Sequence, residues 1–236
     1  MRKIISMILI LSLSGISIFT EKLPSFISDT LPKKSFMGKE VGVPYTSLIS
    51  YFGYIKPGSK ADAVVDKKKM YYIYVWIPAV APELGIRMVS PVSSITPAMK
   101  PKKTDFVSPL WEEGQSDAES YFDTWVSLER ATDIKEPADI KSKISKTKWI
   151  RLGSNDDSGE LFAQPSGSNY NSVLRITSVP SNPAKALIRG LYRIGFTTYK
   201  RGEVKGTFLA QVGAPVKLPG VVIEKDIEKL IELTTK

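Results

Sequence analysis

The run MYYIYVWIPAV, residues 70–80, decides the fold class that we predict for this chain. It is dense in aromatic and β-branched residues, a composition typical of a strand that is buried on both faces of a sheet. Pro78 and Pro82 mark its end, because proline has no N–H to donate to a central β ladder. A protein built around such a strand should be mostly β.

Short strand-like runs with Pro and Gly punctuation continue along the chain. They cover residues 47–55, 85–90, 121–130, 148–152, 170–179, 189–199 and 204–212. The last two runs are separated by a four-residue loop that contains glycine, which predicts a β-hairpin. This organisation favours a β-sandwich or a jelly roll with helical insertions, over residues 45–222.

Two helices are expected beside the strands. Residues 136–146 should form a short helix, with Pro137 in its first turn. Residues 223–236 should form a C-terminal amphipathic helix. Its apolar stripe consists of Ile223, Ile227, Leu230 and Ile231.

The N-terminal residues indicate export. Arg2 and Lys3 precede an apolar stretch that ends at Phe19, shorter than the ~20 residues of a membrane-spanning helix, so residues 1–19 are predicted to be a signal peptide. Cleavage is expected between Ile16 and Lys22. Residues 20–44 should follow as an extended leader or linker.

Composition removes several classes of chemistry. The chain has no histidine and no cysteine, which excludes disulfides, thiolate nucleophiles, Cys/His zinc sites and Ser-His-Asp triads. Carboxylate enzymes and Ser-Lys pairs stay open, but we expect no enzymatic activity. The formal charge of +9 favours anionic partners, yet the lysine clusters at 67–69 and 100–103 lie next to turn signals and should be solvated loops. Nucleic-acid binding is not expected.

The segment GSNDDSGE, residues 153–160, raises the question of a metal site. Adjacent aspartates among Gly, Ser and Asn are typical of turns, and their spacing misses the EF-hand pattern. From these residues alone, a plain turn is favoured over a metal site.

Five long sequence segments, taken together, favour a metal site over a plain turn. They are YFGYIKPG, YYIYVWIPAVAPELGIRMVSP, YFDTWVSLER, YNSVLRI and LIRGLYRIGFTTYKRGEVKGTF, in this order between Tyr45 and Gly213. Together they resemble the major outer-membrane lipoprotein family of pathogenic leptospires. The resemblance implies a jelly-roll β-sandwich with peripheral helices and a non-enzymatic, calcium-binding envelope protein. It also implies adhesion to extracellular matrix components such as laminin, collagen and fibronectin.

The resemblance also implies a calcium site. Its ligands would be Asp123, Thr124, Asp156, Asp157 and Tyr170. Calcium takes six to eight oxygens at about 2.3–2.6 Å, which carboxylates, a hydroxyl and carbonyls can supply. The acidic loop is shorter here than in the family, so its affinity for calcium should be lower.

The sequence leaves membrane anchoring and the oligomeric state open. Ile16 stands where a lipoprotein of this type would carry its lipidated cysteine, so we expect no acyl group there. The protein is then expected at the outer membrane or cell surface, or else in the periplasm or secreted. Association with the membrane and a homo-oligomer both stay open.

A second hypothesis is an exported carbohydrate-binding or carboxylate-dependent hydrolytic β-sandwich. Its candidate residues are Glu112, Glu113, Asp117 and Glu119. Solvated loop positions explain these carboxylates better.

Overall fold

A computed structural model describes residues 33–36, 39–42, 45, 47–92, 99–117, 119–159, 161–199 and 202–235. The predicted signal peptide and its cleavage region lie outside these ranges. Within the predicted leader, β1 (Lys33–Phe36) and β2 (Lys39–Gly42) pair as an antiparallel hairpin. That part of residues 20–44 is therefore a hairpin rather than an extended linker.

The described chain is mostly β, as the sequence predicts. After β2 come β3 (Ser47–Ile55), β4 (Ala63–Val65), β5 (Lys68–Ile77), β6 (Glu83–Val89), β7 (Phe106–Val107), β8 (Thr124–Ala131), β9 (Trp149–Asn155), β10 (Ser172–Thr177), β11 (Gly190–Thr198), β12 (Gly206–Ala214) and β13 (Val222–Glu224). The helices are α1 (Trp111–Gly114), α2 (Pro137–Lys143) and α3 (Ile227–Thr234).

Two larger sheets pack on a shared core. One has the order β10-β6-β12-β3-β7, and the other has the order β13-β5-β11-β8-β9, with β4 paired to β5. Because side chains alternate across each strand, every strand can send one set inward. Ile73, Val126 and Phe196 of one sheet share the core cluster with Ile86 and Phe208 of the other, and all five are fully buried. The result is a sandwich-like arrangement.

The predicted hairpin of residues 189–199 and 204–212 is wrong. β11 lies between β5 and β8 in one sheet, whereas β12 lies between β6 and β3 in the other. The chain changes layers instead of folding back on itself. Gly206 begins β12 with φ +94°, and a Cβ there would lie 1.8 Å from the carbonyl oxygen of Ser120, so only glycine fits this crossing.

The C-terminal helix begins later in the chain than the sequence predicts. Ile223 belongs to β13 and pairs with Val75, and the helix starts only at Ile227, after the N-cap residue Asp226. The helix predicted at 136–146 is confirmed as α2, with Pro137 at its first position. In the described part of the chain, no helix has the length and apolar character needed to cross a membrane.

Candidate metal centre

The predicted calcium ligands belong to three chain segments that meet where the edges of the two sheets come together. Thr124 is the first residue of β8, and Asp123 immediately precedes it. β9 ends at Asn155, just before Asp156 and Asp157, and Asn155 is the register partner of Val126. This antiparallel pairing brings the start of β8 beside the acidic loop.

The third segment reaches the same place by hydrogen bonds. The backbone N–H of Thr124 donates to the carbonyl oxygen of Tyr170 at 2.9 Å, and the Thr124 hydroxyl donates to the same oxygen at 3.0 Å. The N–H of Ser158, one residue beyond the acidic pair, donates to the Asn171 carbonyl at 3.0 Å. The structure therefore unites all three predicted segments, although residues 124 and 170 are 46 positions apart.

The oxygens of this centre differ in their access to solvent. Asp123 and Asp156 are half-buried, while Asp157 and Tyr170 are exposed. Thr124 is fully buried, and its carbonyl oxygen accepts a hydrogen bond from the Ser172 hydroxyl at 2.6 Å. The two carbonyl oxygens that could bind calcium, those of Thr124 and Tyr170, already accept hydrogen bonds within the protein.

The donor set suits calcium in kind, since carboxylates and carbonyls are hard oxygen ligands. Among the described residues, however, no three acidic side chains form a group that could hold a metal ion. Glu160, the last residue of the acidic loop, lies outside the described residues. The structure thus brings the segments together, and calcium coordination by Asp123, Asp156 and Asp157 stays a prediction.

Sequence reasoning missed the polar residues that fix this centre. The buried amide nitrogen of Gln164 donates to the carbonyl oxygens of Ser90 at 2.6 Å and Phe122 at 2.8 Å. The side chain of Asn171 accepts from the Ser90 N–H at 3.0 Å and donates to the Phe162 carbonyl at 2.9 Å. The sequence carries a partial signal for Asn171. Asn171 and Ser172 are small polar residues that directly follow Tyr170 and precede the apolar part of β10.

The carboxylates of the alternative hypothesis lie elsewhere and serve local structure. Glu113 is exposed on α1 and forms a 2.8 Å ion pair with Lys56. Asp117 accepts hydrogen bonds from the Tyr54 hydroxyl at 2.9 Å and from the Ser120 N–H at 3.2 Å. Burial acts to raise the pKa of Asp117, but the hydrogen bonds from Ser120 and Tyr54 outweigh it and hold the pKa below its usual value. A general acid needs the opposite shift. Glu112 and Glu119 are exposed.

The two lysine clusters differ in structure. Residues 100, 102 and 103 are exposed in an irregular segment, so the predicted solvated loop is confirmed there. The other cluster is a tight turn and a strand. Asp66 and Lys67 have φ of +50° and +65°, as a two-residue hairpin turn requires, and Lys68 and Lys69 begin β5.

The two packed sheets define a mostly β, sandwich-like protein, and calcium is the ligand that the sequence predicts for its candidate site. The sequence model of one family, Lipl32, described as surface lipoprotein of Spirochaetales order, matches residues 39–223. The chain belongs to this family. No curated protein matches the chain.

Proposed function

We propose that this chain is a non-enzymatic, calcium-binding surface protein that adheres to extracellular matrix proteins. The observation that carries the calcium proposal is that hydrogen bonds join residues 123–124 and 156–158 to residues 170–171, at the entrance of β10. Together these segments carry three carboxylates, those of Asp123, Asp156 and Asp157. Membership of a surface lipoprotein family supports a place outside the cytoplasm, at the outer membrane or cell surface.

The role of calcium would be structural. A cation bound by oxygens of Asp123 and of the acidic loop would tie β8 and that loop to the entrance of β10. A ligand that binds only the folded state stabilises it by mass action.

The test is the melting temperature with calcium and with a chelator. Millimolar calcium should raise the melting temperature of the wild type, and magnesium should do less, because it demands tighter octahedral geometry. Asp156→Ala and Asp157→Ala should remove most of the shift.

Asp105→Ala is the matched control. Asp105 lies in the segment before β7, where its carboxylate accepts from the Lys102 N–H at 2.7 Å, so its loss should leave the calcium shift intact. If calcium does not shift the melting temperature of the wild type, the acidic loop is only a turn and the calcium proposal fails.

Adhesion is tested by saturable binding of the purified protein to immobilised laminin, collagen and fibronectin. The resemblance supports binding to at least one of them. Binding no greater than to albumin would contradict the adhesion proposal and leave the calcium proposal standing.

A further inference from the structure

A cleft of about 630 Å³ opens on the outer face of the five-stranded sheet. Strands β3, β6 and β12 form its floor, and the irregular segment 99–105 forms one wall. Its polar lining residues include Ser50, Arg87, Lys100, Lys102, Asp105 and Gln211. None of the predicted calcium ligands is among the described residues that line it, so the cleft is a separate feature of the molecule.

The floor of the cleft is a buried polar ladder across three neighbouring strands. Gln211 is the register partner of both Arg87 and Ser50. The Arg87 guanidinium donates to the Gln211 side-chain oxygen, and the Gln211 amide donates to the Ser50 hydroxyl at 2.7 Å. All three residues are buried, and Arg87 is only 9% exposed. A cation is therefore held at the base of the cleft, with its neutral neighbours already oriented by hydrogen bonds.

The charge of the cleft is positive on two sides. Lys100 and Lys102 are exposed in the 99–105 wall, and Arg87 lies in the floor. The described lining contains one carboxylate, Asp105, which is used locally by the Lys102 N–H. Burial lowers the pKa of Arg87 to about 10, which reflects the cost of keeping a guanidinium away from water.

The side chains of Arg87, Lys100 and Lys102 suit a phosphate or sulfate group. A guanidinium presents a planar set of donors that matches phosphate and sulfate oxygens, and lysine adds point charges. The remaining lining is apolar and includes Leu48, Phe52, Met99 and Leu209. Such a wall suits a carbon skeleton attached to the anionic group, and the volume lies within the range of small-molecule sites.

We propose that this cleft binds a small organic anion that carries a phosphate or sulfate group. Arg87 would hold the anionic group at the base, Lys100 and Lys102 would close over it, and the apolar wall would contact the organic part. This inference goes beyond the proposed calcium-binding and adhesive function and does not depend on it.

The experiment uses glucose 6-phosphate and glucose 6-sulfate as probes, with glucose as the neutral control. Melting temperature and titration calorimetry are measured in metal-free buffer, with ionic strength held constant by sodium chloride. Both charged probes should raise the melting temperature in a saturable manner, and glucose should not. The absence of any saturable shift from either charged probe would overturn the proposal.

Variants place the binding in the cleft. The exposed pair Lys100→Gln/Lys102→Gln should weaken binding by about tenfold or more, which corresponds to the loss of one charge-assisted hydrogen bond. The control pair Lys141→Gln/Lys146→Gln makes the same charge change on exposed positions in and after α2, and it should bind like wild type. Arg87→Lys, which keeps the charge but removes the planar donors, should also weaken binding. Equal affinity in the two double variants would show that the probes bind through net charge alone, and would overturn the proposal.

Discussion

At the residue scale, Phe196 shows how the sandwich is held together. Its ring centroid lies 5.7 Å from Tyr71, 6.0 Å from Phe122 and 5.0 Å from Phe208. Phe196 and Tyr71 belong to one sheet, and Phe208 belongs to the other. The aromatic and branched residues of 189–199 favour a central core element, and Phe196 is fully buried.

Phe196→Ala should therefore cost roughly 3–5 kcal/mol of unfolding free energy, because it removes a large ring from a core that cannot fully collapse around the cavity. Urea denaturation measures the loss. Val64→Ala is the control, since Val64 is 71% exposed and its truncation should change stability by less than about 0.5 kcal/mol. A loss of less than about 1 kcal/mol for Phe196→Ala would contradict the packing described here.

At the element scale, α3 depends on its N-cap residue. The carboxylate of Asp226 accepts hydrogen bonds from the N–H groups of Glu228 at 2.8 Å and Lys229 at 3.0 Å. These groups have no partner inside the helix, so the cap determines where the helix begins. Leu230 then packs fully buried in a cluster that includes Ile140 of α2.

Asp226→Ala should destabilise the protein by about 0.5–2 kcal/mol through the loss of this cap. Chemical denaturation of the two variants Asp226→Ala and Asp226→Asn checks the mechanism, because asparagine caps helices nearly as well as aspartate. Equal losses in both variants would indicate that the negative charge matters, rather than the hydrogen bonds.

Elements could be predicted from the sequence more readily than their partners. Residues 47–55 were predicted as a strand from composition, and they form β3 with the same bounds. The pairing of β11 with β12 was wrong, because a short glycine-containing loop serves a hairpin and a change of layer equally well. Ile223 fits the apolar spacing of α3, but the Asp226 cap ends that continuity three residues later. Local periodicity does not report which strand lies beside which.

At the scale of the whole molecule, the candidate calcium site lies on a seam between two sheet edges. β9 is an edge of the six-stranded sheet and β10 is an edge of the five-stranded sheet. The side chain of Asn155 donates to the Val173 carbonyl at 2.6 Å across this seam. The Thr124 hydroxyl lies 2.7 Å from the hydroxyl of Ser172.

This placement explains why the residues alone did not predict a metal site. Asp123, the acidic pair and Tyr170 are far apart in the chain, and only the packing of the two sheets brings their segments together. The family resemblance supplied the residues, and the hydrogen bonds across the seam supply a physical reason for their meeting.

Calcium should therefore act on the seam more than on the rest of the molecule. Amide exchange at a hydrogen-bonded N–H requires local opening, and a ligand that binds only the closed seam slows that opening by mass action, about 100-fold at a calcium concentration of about 100 times Kd. The reporting amides are those of Thr124 and Ser158, which donate to the carbonyls of Tyr170 and Asn171.

Hydrogen–deuterium exchange with calcium and with chelator measures this effect. The amide of Leu230, which donates to the Asp226 carbonyl in α3, is the internal control. α3 follows β13, at the edge of its sheet opposite β9, so local opening there leaves the seam closed and should not respond to calcium. Equal slowing at Leu230 and at the seam would mean that both exchange through global unfolding, and the local clamp would be contradicted.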